Sequence, residues 1–226
     1  MSFCFAEEKE YVVRELEIRT WLKLLRQSFG DPYPVVDPEV FRESFRQKRF
    51  TDVVVGVRNQ LRLSDIGFRI GYVRSGGDMG RVAWIRVPGI MPMYGSPAFK
   101  ALKLEMFIRR EFLELNDLAV ALMIISHELS HVVLDSLYHQ LRLTEPAVDL
   151  TAMYLGFRQA FITPNAYENP GFDNKADTLA ATLERLLSLQ FADGSTSLFT
   201  RQLVYLSVEE RKFAARLMGT TEPFRK

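Results

Sequence analysis

Apolar positions recur along this chain in two rhythms. Between residues 6 and 29, Tyr11, Val12, Leu16, Ile18, Trp21, Leu22, Leu24, Leu25 and Phe29 fall close to helical spacing, and Gly30-Asp31-Pro32 marks the stop. Asp37-Pro38-Glu39 then opens a short helix through Phe41 and Phe45, with proline at its first helical position. From Thr51 the rhythm changes. Thr51–Val57, Ile66–Val73 and Arg81–Val87 are rich in β-branched and aromatic residues and read as strands, the last two joined by a turn at Gly76–Gly80. Residues 97–115 fit both periods: Leu104, Met106 and Ile108 alternate, while Phe99, Leu102, Met106 and Leu113 keep helical spacing. A strand over 103–109 is preferred, because a strand feeding straight into the next element would line a cleft.

That next element opens on the apolar run Leu118–Ser126, and Asn116 or Asp117 is a suitable N-cap for it. A buried helix is predicted from about 117 to 138. Residues 138–143 must turn the chain back, and Thr144 can cap a second helix over 145–161, which tolerates Pro146 in its first turn. Residues 163–173 and 191–200 read as loops around a helix at 174–190. Ser207-Val-Glu-Glu210 is a capping box that opens a last helix to about 218. The pattern predicts an α+β protein with a small twisted antiparallel sheet. Its parts are an N-terminal helical segment (1–48), a core (49–161) and a C-terminal helical portion (162–226), packed as one domain. No internal repeat or low-complexity tract interrupts them.

Composition narrows the function classes. The 226 residues suffice to bury a sizeable core, and 47% hydrophobic with 25% charged residues is ordinary for a globular protein. A formal charge of +1 gives no reason to expect nucleic acid or a membrane surface as partner. The single cysteine, Cys4, excludes an intramolecular disulfide and suits a reducing compartment. The first ten residues have neither a basic nor an apolar signal region, and the run 118–126 falls well short of the ~20 residues that span a bilayer. A cytoplasmic location is the expectation.

The chemistry centres on His127-Glu128-Leu129-Ser130-His131, inside the predicted buried helix. His127 and His131 are one turn apart on one face, a spacing that suits two imidazoles holding one divalent cation. Glu128, beside them, is placed to take a proton from a water activated by that cation. Charged and imidazole side chains on an otherwise apolar helix need something to satisfy them. A third ligand is required, and Glu145, on the following helix, is the candidate; its other reading is a solvated carboxylate favoured by the helix dipole. Asp149, one turn beyond, shares its face and could accept a hydrogen bond from the far nitrogen of a ligating histidine. Asp135 and His139 are weaker ligands, since a straight helix carries them away from the first two. For an oxyanion donor, His139 and Tyr154 are candidates, with Tyr167 and Tyr205 also worth testing, although packing for Tyr154 and a surface position for His139 are the plainer readings. Arg109-Arg110 could hold a substrate carboxylate, but a surface pair is commoner, and Gly76, Gly77 and Gly80 lack the strand–loop–helix frame of a phosphate cradle.

His127–His131 followed by Glu145-Pro-Ala-Val-Asp149 resembles the gluzincin pattern of metallopeptidases and is similar to the HtpX-type and ImmA/IrrE-type proteases, with the Glu-x-x-x-Asp arrangement closest to the HtpX type. The resemblance covers about residues 117–157. The gap to the glutamate is short, and neither membrane spans nor a helix-turn-helix partner accompany it. The resemblance implies a zincin-like core, a zinc ion held by His127, His131 and Glu145, Glu128 as general base, and an edge strand that binds peptide in extended form. The expected activity is a zinc-dependent hydrolase acting on a peptide or protein substrate with narrow specificity. Its rivals are a metal-binding zincin-fold regulator or interaction protein without peptidase activity, a helical scaffold with a chance pentapeptide, and a hydrolase of other amides.

Overall fold

The computed structural model of the protein describes residues 4–73, 82–163 and 205–219. Three helices come first. In α1 (Cys4–Phe29), Ile18, Leu22 and Leu25 are fully buried, and the helix ends where Gly30 takes the left-handed backbone (φ 76°) and donates its N–H to Arg26. α2 (Glu39–Arg46) starts after Asp37, whose carboxylate accepts the Glu39 N–H at 2.9 Å.

α3 (Phe50–Gln60) overturns an expectation: Thr51–Val57 is helix, not strand. Its buried residues are Phe50, Val53, Val54 and Val57, at spacings of three, four and seven. The apolar stripe therefore has helical period, and burying that stripe outweighs the modest preference of valine for strands.

The sheet holds β1 (Gly67–Val73), β2 (Ala83–Arg86) and β3 (Lys103–Arg109) in the order β1-β3-β2. It is mixed rather than antiparallel as expected: β1 runs parallel to β3, and β2 antiparallel. β3 takes the centre because Leu104, Met106 and Ile108 are the deepest apolar row, at 2%, 0% and 0% exposure. Segment 97–115 uses both of its rhythms, with a short helix α4 (Pro97–Lys100) before β3 and α5 (Arg110–Leu115) after it.

α6 (Leu118–Ser136) is the spine of the molecule and packs against α3, β2 and the helices that follow. The Asp117 carboxylate caps it by accepting the Val120 N–H at 2.9 Å. By length and hydropathy α6 is apolar enough to cross a membrane, but most of it is buried inside the fold, where its apolar faces form the core. Ser126 and Ser130 point inward as well, and their hydroxyls donate to the Met123 and Ser126 carbonyls of the same helix. The helix stops two residues short of the expected 138, where Tyr138 adopts a positive φ of 48°.

The predicted helix over 145–161 is broken into three. α7 (Glu145–Ala152) leads through a π-helical turn, Met153–Phe157, into α8 (Arg158–Ile162). Loop 33–36 explains the turn: the N–H groups of Tyr33 and Val36 donate to the carbonyls of Tyr154 and Gly156. Gly156 sits at φ 114°, and a β-carbon there would lie 2.8 Å from the Pro34 carbonyl oxygen, so only glycine fits. Thr144 stands at the N-cap of α7 with extended backbone, yet its hydroxyl makes no capping bond.

α9 (Val208–Gly219) begins with the expected capping box, the Ser207 N–H donating to Glu210 and the Glu210 N–H to Ser207. It lies against α1 and α8, and the Arg14–Glu210 ion pair at 2.8 Å tethers it to α1. The predicted helix at 174–190 and its flanking loops lie outside the described residues.

Candidate metal centre

Two helices build the site. α6 presents His127 and His131 from successive turns, their rings edge-on with centroids 5.0 Å apart. α7 enters with Glu145 as its first residue and reaches across. Glu145 Oε2 lies 3.5 Å from His127 Nε2 and 3.3 Å from His131 Nε2. All three atoms fall within 4.8 Å of one another.

Those separations suit a metal. Ligand atoms about 2.0–2.1 Å from a tetrahedral ion are about 3.4 Å apart along each edge. Glu145 Oε2 is moreover buried without a hydrogen-bond partner, although much of the rest of that side chain is exposed. A buried carboxylate oxygen left unpaired between two imidazole nitrogens is what a cation would satisfy. The residues present fit a divalent ion, and nothing in this donor set distinguishes zinc from its neighbours.

Asp149 fixes His127 from behind. Fully buried on α7, it has Oδ1 2.8 Å from His127 Nδ1, while Oδ2 accepts the N–H groups of Tyr205 at 2.6 Å and Leu206 at 3.0 Å. Because both carboxylate oxygens are acceptors, His127 Nδ1 must carry a proton, which leaves Nε2 as the ligating atom. The Tyr205 ring stacks on the His127 imidazole, with centroids 5.7 Å apart and planes 22° from parallel.

The charges follow from this crowding. Burial opposes an imidazolium at His127, but the bond to Asp149, the Glu145 carboxylate close to Nε2 and the nearby charges of Asp149 and Glu128 push its pKa up to about 10. The two histidines hold the Glu145 carboxyl far below the ordinary carboxylate range, against the opposing effect of its burial. With no metal, then, the pocket draws a positive charge between its donors. Glu128 is half-buried on α6 beside His127.

Several predicted participants sit elsewhere. Tyr154 is not an oxyanion donor here: its hydroxyl donates to the Gly30 carbonyl and its ring lies near Phe29, because the π-helical turn carries it towards α1. His139 is buried rather than on the surface, stacked on Phe29, with Nδ1 accepting the Leu141 N–H at 3.1 Å. Through that stacking it too packs against α1, and burial lowers its pKa. Asp135, one turn past His131, stands outside the converging donors, and burial raises its pKa while His131 opposes the rise. Arg110 is a surface residue paired with Glu114 at 3.0 Å. Tyr167 lies outside the described residues.

Sequence reasoning named Tyr205 only as one tyrosine among several and missed Leu206 altogether. The one available signal was their place just ahead of the Ser207 capping box, where the chain enters a helix and backbone N–H groups seek acceptors. The chain matches no family model, no curated protein sequence and no solved structure.

Proposed function

We propose that this chain is a zinc-dependent metallopeptidase with a zincin-like core, hydrolysing peptide bonds in the cytoplasm with narrow specificity. The observation that supports the reading is the convergence of His127 Nε2, His131 Nε2 and Glu145 Oε2 around one point, with Glu128 on the same helix. A zinc ion held there by three protein ligands would supply Lewis-acid chemistry, activating a water and polarising a peptide carbonyl.

The chain's own residues supply the rest. The Glu128 carboxylate takes the proton of the attacking water and returns it to the leaving amide nitrogen. Asp149 keeps the Nδ1 proton on His127 and so holds Nε2 in its ligating form. Among the described residues β2 pairs on one side only, with β3, and it lies against α6. An extended substrate backbone adds to its other side.

The test is elemental analysis of wild type and Glu145→Ala, purified without chelator or tag-borne metal. About one zinc per chain, lost in the variant, is the expected result, followed by cleavage of a peptide library that Glu128→Gln abolishes. Wild type that takes up no metal would sink the proposal. Stoichiometric zinc without turnover would leave a metal-binding regulatory or interaction protein.

A further inference from the structure

Resting on the metal-site reading, we propose that Tyr205 is a positioning residue of the centre that fixes the His127 imidazole, and not a donor to the reacting carbonyl. An imidazole ligand keeps two rotations, about χ1 and χ2, and both must be held for Nε2 to stay on the ion. Asp149 restrains one ring edge through Nδ1 at 2.8 Å. A bond at one edge still lets the ring rock about it. The Tyr205 ring, lying 22° from parallel at 5.7 Å, closes off that rocking from the face.

The same residue also acts on the carboxylate. Its N–H reaches Asp149 Oδ2 at 2.6 Å, so the acceptor that orients His127 is itself held by the backbone of the residue that stacks on the ring. Leu206, 1% exposed, adds a second N–H at 3.0 Å and anchors this stretch in the core. The capping box at Ser207 and the Arg14–Glu210 pair then fix the stretch to α9 and α1. His131 has no comparable clamp among the described residues. Face and edge of one ligand are thus controlled by a segment 78 positions downstream (205 against 127).

The side chain's contribution is its planar ring, and the backbone's is the N–H. Tyr205→Phe keeps both, while Tyr205→Leu keeps the N–H and loses the plane. Full-length wild type and both variants are loaded with cobalt(II) as a coloured probe, and zinc affinity is measured by competition with a chromophoric chelator. The expected result is wild-type affinity and visible bands for Tyr205→Phe. Tyr205→Leu should bind zinc about tenfold more weakly, the low end for an outer-shell partner, with shifted cobalt bands. Should the leucine variant fail to fold, as judged by melting in chelator, Tyr205→Met carries the same comparison. Unchanged affinity and bands in the non-planar variants would overturn the inference while leaving the metal centre intact. A phenylalanine variant as weak as leucine would also overturn it, because the hydroxyl would then be the working part. Wild type that binds neither cobalt nor zinc would bring down the metal reading itself.

Discussion

His127 and His131 stand one helical turn apart, yet their surroundings differ sharply. The His127 side chain is 6% exposed, bonded to a fully buried carboxylate and covered by an aromatic ring. The His131 side chain is 23% exposed, and among the described residues its second ring nitrogen has no hydrogen-bond partner. Glu145, 42% exposed, belongs to the open side. One half of the centre is built like core and the other like a cleft wall. A catalytic ion needs ligands held in place and one position left open to solvent. Uniting the two gives a fixed reference point with an approach from solvent.

Glu128, half-buried beside His127, carries the largest effect: Glu128→Gln should lower turnover of a peptide substrate by about 10²–10⁴-fold while zinc content stays near one per chain. Loss of metal together with activity would instead make Glu128 a structural partner. Glu145→Ala removes a ligand outright and should weaken zinc binding by more than about 100-fold, beyond the usual outer-shell range.

Asp149→Asn probes the closed side. An amide offers acceptor capacity on one end only, so it cannot serve both His127 and the 205–206 N–H groups. Zinc affinity should fall about 10–100-fold. The metal-free protein should also lose about 1–3 kcal/mol in chemical denaturation, because buried donors go unpaired. The counterpart on the open side, Asp135→Asn, should change zinc affinity by less than about threefold, well under the outer-shell range. Equal effects of the two substitutions would erase the distinction between the halves.

Acidity separates the metal-free and metal-bound proteins. The raised His127 pKa, about 10 against an ordinary ~6.5, stabilises the metal-free fold fully below ~6.5, and this contribution is lost as pH rises through about 10. The lowered Glu145 pKa works the other way: its contribution is present above ~4.3 and is lost as pH falls through the depressed value. Zinc must displace the His127 proton, so zinc affinity should rise by up to about tenfold per pH unit between roughly 6.5 and 8.5. Titrations against a chelator of known pH dependence would measure it, and a flat profile would contradict the bonding around His127.

Much of this was legible in the chain because the signals are local. His127, Glu128 and His131 lie within five residues, and the Asp117 cap and the Ser207 box are short motifs that fold as they read. What stayed hidden depended on distant partners. Propensity favours a strand at Val53, Val54 and Val57, but the surface they pack against selects their helical spacing. β1 and β2 look like a hairpin because they are close in sequence, yet β3, whose Leu104, Met106 and Ile108 are the most deeply buried row of the sheet, comes from further on to lie between them. Tyr154 and His139 were displaced from the site by contacts with α1 and the 30–36 loop, which no spacing rule encodes. The two N–H groups on Asp149 come from 56 and 57 residues downstream, so no motif of ordinary length includes them.

The double duty of Asp149 sets an order of events during synthesis. His127, His131 and Glu145 leave the ribosome early, but the 57 residues between Asp149 and Leu206 take about 3–11 s more at about 5–20 residues per second. Until they arrive, one oxygen of the orienting carboxylate lacks its partners, and the imidazole in front of it turns more freely. The nascent chain therefore passes through a window in which the three donors exist but the His127 ring is not yet fixed. Loading of the proposed metal belongs after that window, when the last stretch has docked.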